Sequence, residues 1–307
     1  MQRRFIDYFI ISLKGIAMGA ADVVPGVSGG TIAFISGIYE ELIETINNVN
    51  LSLIRTLKDK GLASAWKQLN GNFLFTLLLG IGISIVSLAK GIKWLLENEP
   101  VLLWSFFFGL VLASIFFVGK QISKWTLANI SGFIVATFVA YYITTLSGLS
   151  STDSSLFLFI AGALAICAMI LPGISGAFIL VLLGAYEPVL DAVNNRDFKT
   201  LAIIGSGAII GLLTFSRILK WLFNHFRNLT LAILTGFILG SLNKIWPWKH
   251  VLTYRTNSKG EEVPLLEESV SPFTFDGNPQ LWWAIGLMLI GFFTIILLEK
   301  LGNKSQN

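Results

Sequence analysis

Charged residues are scarce in this chain. Asp, Glu, Lys and Arg make up only 13% of its 307 residues, about half of the share that soluble domains carry. Hydrophobic residues reach 54% and the mean hydropathy is +0.73, which excludes an ordinary soluble domain and indicates a membrane protein. The net charge of +4 is small and spread along the chain, so it indicates membrane orientation and not nucleic-acid binding.

Cysteine and histidine are almost absent. The single cysteine, Cys167, excludes an internal disulfide. The two histidines, His225 and His250, lie in separate segments, which argues against a histidine-based metal site. No HExxH, CxxC or Walker pattern occurs. We therefore expect no cofactor, no bound metal and no enzymatic activity.

Six uninterrupted apolar segments have about the length that a membrane-spanning helix needs. They cover residues 73–89, 101–118 and 127–146 in the first half of the chain, and 201–215, 229–245 and 281–298 in the second. Most of the nine tryptophans fall near the ends of these segments, as is typical of residues at the membrane–water interface.

Two further apolar segments are each interrupted by the sequence Pro-Gly-x-Ser-Gly. The first reads "DVVPGVSGGTIAFISGIYEELI" from Asp22, and the second reads "MILPGISGAFILVLLGAYEPVL" from Met169. Proline removes a backbone donor and glycine permits a positive φ, so each sequence breaks a helix. The freed backbone groups cannot face lipid. We therefore predict that each break is buried in protein or lines a wet cavity.

The interrupted segments belong to a longer internal repeat. Pro25 and Pro172 are 147 residues apart, and the surrounding Gly, Ser, Ile, Tyr, Glu and Asn residues match at the same offset. Further along, Lys93-Trp94 matches Lys220-Trp221 at an offset of 127 residues. We predict one duplicated unit, with each copy containing a re-entrant helical hairpin and three crossings. The copies cover residues 1–150 and 151–307, and their hairpins cover residues 5–46 and 156–193.

Three crossings is an odd number, so the second copy must be inverted relative to the first. The predicted fold is therefore an all-α polytopic membrane protein, a single membrane domain with an inverted-topology repeat. Inverted repeats with broken helices are characteristic of secondary transporters, whose sites lie near the midplane of the bilayer.

Basic residues predict the orientation in the membrane. Thirteen Lys and Arg residues fall in loops on the side of the N-terminus and eight on the other side, which predicts cytoplasmic N- and C-termini. The polar loop over residues 247–279 is then extracytoplasmic. Asp7 and Lys14 interrupt the first apolar stretch, which favours a membrane segment over a cleaved signal peptide.

A helix that restarts after a glycine-rich break offers unpaired N–H groups and a positive dipole end. Two such starts that enter from opposite sides would form a site for a phosphate or a carboxylate. Glycines let a bulky anion approach the backbone, and hydroxyls add donors. The predicted binding residues are Pro25, Gly26, Ser28, Gly29, Gly30, Thr31, Pro172, Gly173, Ser175 and Gly176, with Lys14 and Arg217 as basic partners.

Three carboxylates are candidates for ion coupling: Asp22 just before the first break, and Glu40 and Glu187 at equal spacing after the two breaks. A charge at membrane depth costs roughly 2.5–3.5 kcal/mol and favours a functional interpretation. Na⁺ or H⁺ is the candidate coupling ion. Simpler roles stay open, since Asp22 can accept a hydrogen bond at a helix end and the glutamates can be solvated. Lys14 and Arg217 can extend to head groups, and the motif can be a structural turn.

The stretch "GIAMGAADVVPGVSGGTIAFISGIYEELI" closely resembles the bacterial PopT family, and "PGISGAFILVLLGAYEPVL" looks like its second motif. The likeness covers nearly the whole chain. It implies a flippase of the bacterial cytoplasmic (inner) membrane for undecaprenyl phosphate, the lipid carrier of cell-wall synthesis. The identity of the lipid comes from this resemblance alone. A homodimer is a candidate assembly.

Two other functions are compatible with the motifs. One is ion-coupled transport of a small organic anion. The other is hydrolysis, because membrane polyprenyl-pyrophosphate phosphatases also have duplicated re-entrant hairpins, with a PGxSRS-type turn. Here Gly29 stands where that turn has arginine, so a departing phosphoryl group would need another cation.

Overall fold

A computed structural model of the chain describes residues 3–23, 28–146, 154–256 and 262–304. In this part of the chain the structure is mostly helical, with one pair of strands. The helices are α1 (Phe5–Val23), α2 (Gly29–Ile35), α3 (Tyr39–Asn47), α4 (Leu51–Leu69), α5 (Gly71–Asn98), α6 (Pro100–Gly119), α7 (Leu127–Thr145), α8 (Ser155–Ile170), α9 (Gly176–Leu182), α10 (Tyr186–Asn194), α11 (Phe198–Ser241) and α12 (Leu281–Lys304). The strands are β1 (Lys249–Thr256) and β2 (Glu262–Ser269).

Four of the described helices are long and apolar enough to cross a membrane. They are α5, α6, α7 and α11, the last continued by a 3₁₀ turn to Ile245. Shorter apolar stretches form α8 and the first part of α12. The prediction of a helical membrane protein is confirmed.

Helix α11 joins two predicted crossings, over residues 201–215 and 229–245, into one element. No proline or glycine lies between Phe215 and Leu229, so nothing in the sequence ends the helix there. Its 44 residues would extend about 66 Å, roughly twice the thickness of the hydrocarbon core. The backbone leaves helical geometry at Phe226, with φ −134° and ψ 45°. This break divides α11 into a first half before Phe226 and a second half after it.

Strands β1 and β2 pair antiparallel, with Lys249 opposite Ser269. The prediction of an all-α chain omits this hairpin, which lies in the polar loop over residues 247–279. The β1 sequence KHVLTYRT includes β-branched and aromatic residues, which favour a strand. Trp248 is buried beside Val101 and Ala284, so the hairpin is anchored on the starts of α6 and α12.

Both interrupted segments fold in the same pattern. A long helix, α1 or α8, is followed by a seven-residue helix, α2 or α9, and then by a nine-residue helix, α3 or α10. A glycine with positive φ separates the two short helices in each case: Gly37 at 73° and Gly184 at 72°. The bounds of both short helices keep the 147-residue offset of the sequence repeat.

Glycines at matching positions bring the same helices together in both halves. A Cβ on Gly15 of α1 would overlap the carbonyl oxygen of Leu77 on α5, and a Cβ on Gly162 of α8 would overlap that of Ile204 on α11. Small residues let helix backbones approach closely inside a membrane. Thus α1 packs on α5 in the way that α8 packs on the first half of α11.

The other long apolar helices pair across the two halves. Gly109 of α6 packs against the carbonyl group of Met288 on α12, whereas its counterpart Gly236 on α11 packs against that of Phe133 on α7. Helix α12 therefore packs on α6, and α7 packs on the second half of α11. Both contacts join the first half of the chain to the second.

The helices that lead into the two breaks pack against the middle of a long helix. A Cβ on Gly19, near the end of α1, would lie 2.9 Å from the Cβ of Ser84, the midpoint of the 28-residue α5. In the second half, the Cys167 thiol near the end of α8 donates to the carbonyl oxygen of Gly211 at 3.7 Å. Gly211 lies near the middle of the first half of α11.

Candidate anion-binding site

The two breaks are in direct contact. The Gly173 N–H donates to the Thr31 Oγ1 at 2.8 Å, and the Ser28 hydroxyl donates to the carbonyl oxygen of Met169 at 3.1 Å. Ser28 and Thr31 are each only 1% exposed. The structure thus brings residues from both motifs into one buried polar contact.

The start of α2 abuts the end of α8. A Cβ on Gly30 would lie 2.7 Å from the carbonyl oxygen of Ile170 and 2.8 Å from that of Met169. Only glycine permits this approach. The positive N-terminal end of α2 therefore faces the negative C-terminal end of α8, which is a favourable arrangement of the two dipoles.

Asp22 occupies the N-terminal end of α2. Its Oδ1 accepts from the Gly29 N–H at 2.7 Å. The next two amides are also bound, because the Gly30 N–H donates to Ser28 Oγ at 3.1 Å and the Thr31 N–H donates to Ser28 O at 2.9 Å. The amides predicted to hold an anion are thus already satisfied in the first half. Asp22 therefore acts as a hydrogen-bond acceptor at a helix end, the simpler of the two roles that the sequence suggests for it.

The second motif turns sharply at Gly173. Gly173 has φ 89°, a conformation that disfavours side chains, and Pro172 is buried. A Cβ on Gly176 would lie 2.6 Å from the carbonyl oxygen of Ala165, so α9 folds back closely on α8. The Ser175 hydroxyl accepts from the Phe178 N–H at a long 3.5 Å.

A shallow pocket, with about 10 Å³ of space for water-sized molecules and an open mouth, lies beside this motif. Its walls are Gly173, Ile174, Ser175 and Phe178, the end of α7, and Lys244. The Lys244 Nζ lies 5.0 Å from the centre of the Phe178 ring. Sequence reasoning did not select Lys244, because no motif surrounds it and it follows the end of a helix like any loop lysine.

Lys244 belongs to a cluster of three charged side chains that we call the basic triad: Lys244, Lys249 and Glu267. Glu267 Oε2 accepts from Lys244 at 3.1 Å and from Lys249 at 3.4 Å. Lys249 also donates to the Lys244 carbonyl oxygen at 2.5 Å. Burial lowers the pKa of Lys249 to about 8, against the opposing effect of Glu267. Burial disfavours the charged form of Glu267, yet Lys249 and Lys244 hold its pKa below its ordinary value.

The basic residues predicted from the sequence lie elsewhere. The Lys14 Nζ donates to the carbonyl oxygen of Ser36 at 2.6 Å, which ties α1 to the end of α2. Arg217 is exposed on the surface of α11. Neither residue lines the pocket at the second motif.

The carboxylates predicted for ion coupling are not gathered at the breaks. The Glu40 Oε2 accepts from Arg227 at 2.8 Å on an exposed surface, at the end of the molecule where Arg3 binds Glu41. Pro25 and Gly26 lie outside the described residues, and so does the side chain of Glu187. The coupling role of Glu40 and Glu187 therefore stays a prediction.

Comparison of the sequence with known proteins places the chain in a family. A "Polyprenyl-phosphate transporter" of Vibrio cholerae is 49% identical over 308 residues, covering 99% of this chain and 100% of the relative. A "Polyprenyl-phosphate transporter" of Staphylococcus aureus is 29% identical over 262 residues, covering 76% of this chain and 85% of the relative. No solved structure matches the chain. The model of the VCA0040-like family, described as undecaprenyl phosphate translocase-like, matches residues 18–263, and the chain belongs to this family.

Proposed function

We propose that this protein translocates a polyprenyl phosphate, with undecaprenyl phosphate as the expected lipid, across the bacterial cytoplasmic membrane. The observation that carries the proposal is the buried contact between the two motifs, to which α1 and α8 lead along α5 and α11. A phosphate that crosses hydrocarbon needs hydrogen-bond partners within the protein. Family membership and the names of the two relatives support the same lipid class.

Contacts at the start of α1 support a re-entrant hairpin. Helices α1 and α5 run in parallel, because Gly15 meets Leu77 and Gly19 meets Ile81. Glu41 of α3 binds Arg3 at 2.6 Å and Asn70 at 2.8 Å, so α3 has returned to the end where both helices begin. These contacts fit a segment that leaves one end of the molecule, runs along α5 at least as far as Ser84, and comes back.

The direction of the matching helices supports an inverted repeat. Helix α5 begins at the end that carries Arg3 and Glu41, whereas its counterpart, the first half of α11, finishes there. Arg227, which follows the first half of α11, binds Glu40 of α3. The Asn47 side chain at the end of α3 donates to the Ser216 carbonyl oxygen of α11 at 2.9 Å. The matching helices run in opposite directions, as an inverted-topology transporter requires.

Gly29 favours transport over hydrolysis. A Cβ at this position would lie 2.5 Å from Asp22 Oδ2, so the first motif has no room for the arginine of the phosphatase-type turn. The Asp22 carboxylate occupies this space. A carboxylate repels a phosphoryl group, whereas an arginine would stabilise it.

The two motifs differ in how accessible their polar groups are, which suggests the order in which they bind the head group. The amides of the first motif are bound by Asp22 and Ser28, whereas the second motif borders a pocket on the side of the β1–β2 hairpin. With cytoplasmic termini, the hairpin side is the outer one, and the head group arrives there. Movement of one half against the other then exposes it to the opposite side. Neutralising Asp22 with H⁺ or Na⁺ weakens its hold on Gly29 and frees that amide for the phosphate.

The experiment is a leaflet-resolved assay in proteoliposomes that contain radiolabelled undecaprenyl phosphate. A membrane-impermeant phosphatase added outside consumes only the outer-leaflet lipid unless the protein delivers the rest. We expect complete hydrolysis with the protein and hydrolysis of about half of the lipid in protein-free liposomes. The Ser28→Ala/Ser175→Ala double variant should insert normally and deliver the second portion more slowly. Equal incomplete hydrolysis with and without the wild-type protein would exclude translocation.

A further inference from the structure

The basic triad lies beside the second motif but outside the duplicated sequence. Lys244 follows α11, and its two partners lie on the paired strands β1 and β2. Two lysines share one carboxylate oxygen, so the triad carries a net positive charge when both lysines are protonated. Only Lys244 of the three lines the pocket.

We propose that Lys244 docks a phosphomonoester at the mouth of the pocket beside the second motif, with Glu267 as an internal counter-ion that the phosphate displaces. This inference rests on the proposed function, because it names the place where the head group first binds. The shared chemistry is a phosphate monoester or phosphate ion, and the experiment separates the lipid from the free ion.

The environment of Lys244 suits an exchange of anions. Its side chain is 20% exposed and that of Glu267 is 23% exposed, so the pair lies at the border of solvent and protein. The ammonium group has three N–H donors, and Glu267 engages it at 3.1 Å on one side while the Phe178 ring lies on another. A phosphate monoester offers three acceptor oxygens and up to two negative charges. It therefore competes well with a single carboxylate.

The pocket has the polarity for a head group at its open mouth. Its inner space of about 10 Å³ holds about one water molecule, so the phosphate binds at the mouth, beside Lys244, and the prenyl chain stays outside. Ser175 supplies a hydroxyl on one wall, and Ala140 and Ile143 form an apolar wall at the end of α7. The polar and apolar walls match the junction between a phosphate and a prenyl chain.

Lys249 acts as a positioning residue. Its side chain is 9% exposed, and its ammonium group lies 4.9 Å from the centre of the Trp104 ring on α6. It binds both the carboxylate of Glu267 and the backbone of Lys244. These contacts hold the β hairpin, the end of α11 and α6 in one arrangement, so Lys244 stays at the mouth of the pocket.

The test is ligand binding to the protein in nanodiscs of phosphatidylcholine. Three probes are used: farnesyl phosphate, inorganic phosphate and uncharged farnesol. Lys244→Gln should weaken farnesyl phosphate binding about tenfold, the effect of one charge-assisted hydrogen bond, whereas Lys244→Arg should retain it. Glu267→Gln should tighten binding, since the counter-ion is gone. Lys199→Gln, at an exposed lysine of the first turn of α11, is the matched control and should bind like the wild type.

Weaker binding in Lys244→Gln together with tighter binding in Glu267→Gln would indicate a direct role in binding, because a purely structural role would weaken binding in both variants. Competition by inorganic phosphate would assign the site to the phosphate group itself, and Lys244-dependent binding of farnesyl phosphate alone would assign it to the lipid. Wild-type affinity in Lys244→Gln would overturn the docking site even if the lipid is transported. Absent transport by the wild-type protein would instead reject the proposed function. Elution profile and Tm verify folding, and if Glu267→Gln does not fold, the comparison of Lys244→Gln with Lys199→Gln decides.

Discussion

Asp22 has two roles that substitutions at this one residue can separate. Its carboxylate caps the first amide of α2, which is a structural role. It is also a charge next to the contact between the two motifs, where a proton or Na⁺ would alter the cap. Asparagine keeps the accepting oxygen without the charge, whereas alanine removes both, so the two substitutions distinguish the roles.

We expect Asp22→Asn to have a Tm close to that of the wild type, because its side-chain oxygen still accepts from Gly29. Asp22→Ala should lose about 1 kcal/mol of stability, the usual effect of a lost N-cap. Transport by Asp22→Asn should no longer respond to Na⁺ or pH. Thermal unfolding in detergent and transport at several pH values and Na⁺ concentrations measure both effects. A wild-type response in Asp22→Asn would remove Asp22 from coupling, and an unchanged Tm in Asp22→Ala would remove the cap.

The sequence predicts some site residues and not others for physical reasons. Ser28, Thr31 and Gly173 belong to a repeated helix break, and a break at membrane depth has to find polar partners. Which partners it finds depends on the packing of α2 against α8, and no local pattern records that packing. Lys244 is harder still, because its position beside Ser175 depends on how the β1–β2 hairpin folds over the end of α11.

At the scale of helices, close backbone contacts at glycines hold each half together. Gly80 of α5 meets the Ser12 carbonyl group, and its counterpart Gly207 of α11 meets that of Phe159. Two residues away from each, Gly82 and Gly205 have no described atom within 4 Å of an added Cβ. The chain thus offers two contact glycines and two matched control glycines on the same helices.

Gly80→Ala and Gly207→Ala should each destabilise the protein by about 1–3 kcal/mol, because the added methyl group overlaps a backbone carbonyl that cannot move alone. Gly82→Ala and Gly205→Ala should change stability by no more than about 0.5 kcal/mol. The Tm values of the four purified variants measure the difference. Equal Tm values within each pair would show that these glycines do not set the helix spacing.

Element boundaries followed from the sequence where a strong local signal exists. The breaks before α2 and α9 contain proline and glycine, which interrupt helices wherever they occur. The joining of two crossings into α11 was not predicted, because apolar periodicity fades at residues 216–228 while helix propensity does not. The β hairpin was missed because its strands lie in a polar loop and lack a regular alternation of polar and apolar residues. The paired strands are anchored through Trp248.

At the scale of the whole molecule, the two halves are tied together at one end. The α3 helix of the first half contacts α11 of the second through Asn47–Ser216, Glu44–Lys220 and Glu40–Arg227. The pocket lies toward the other end, near the β hairpin. Alternating access requires the tied end to separate in part of each cycle, because a head group delivered to that side has to leave between the halves.

A disulfide across this contact tests the separation. In a Cys167→Ser background, Asn47→Cys with Ser216→Cys should form a cross-link on oxidation and reduce transport to the level of protein-free liposomes. Reduction should restore it, and each single cysteine variant should transport under both conditions. Full transport by the cross-linked protein, verified by electrophoretic mobility, would show that this end does not open.

The packing of α12 on α6 has a consequence for biosynthesis. Gly109 packs against Met288, a residue that the ribosome adds about 180 residues later, which takes roughly 10–40 s at bacterial elongation rates. During that interval the newly inserted first half keeps an unfilled helix groove open to lipid. Since α12 is translated so much later than α6, a chain that stops before Leu281 should leave this groove unfilled and the protein exposed to quality-control proteases.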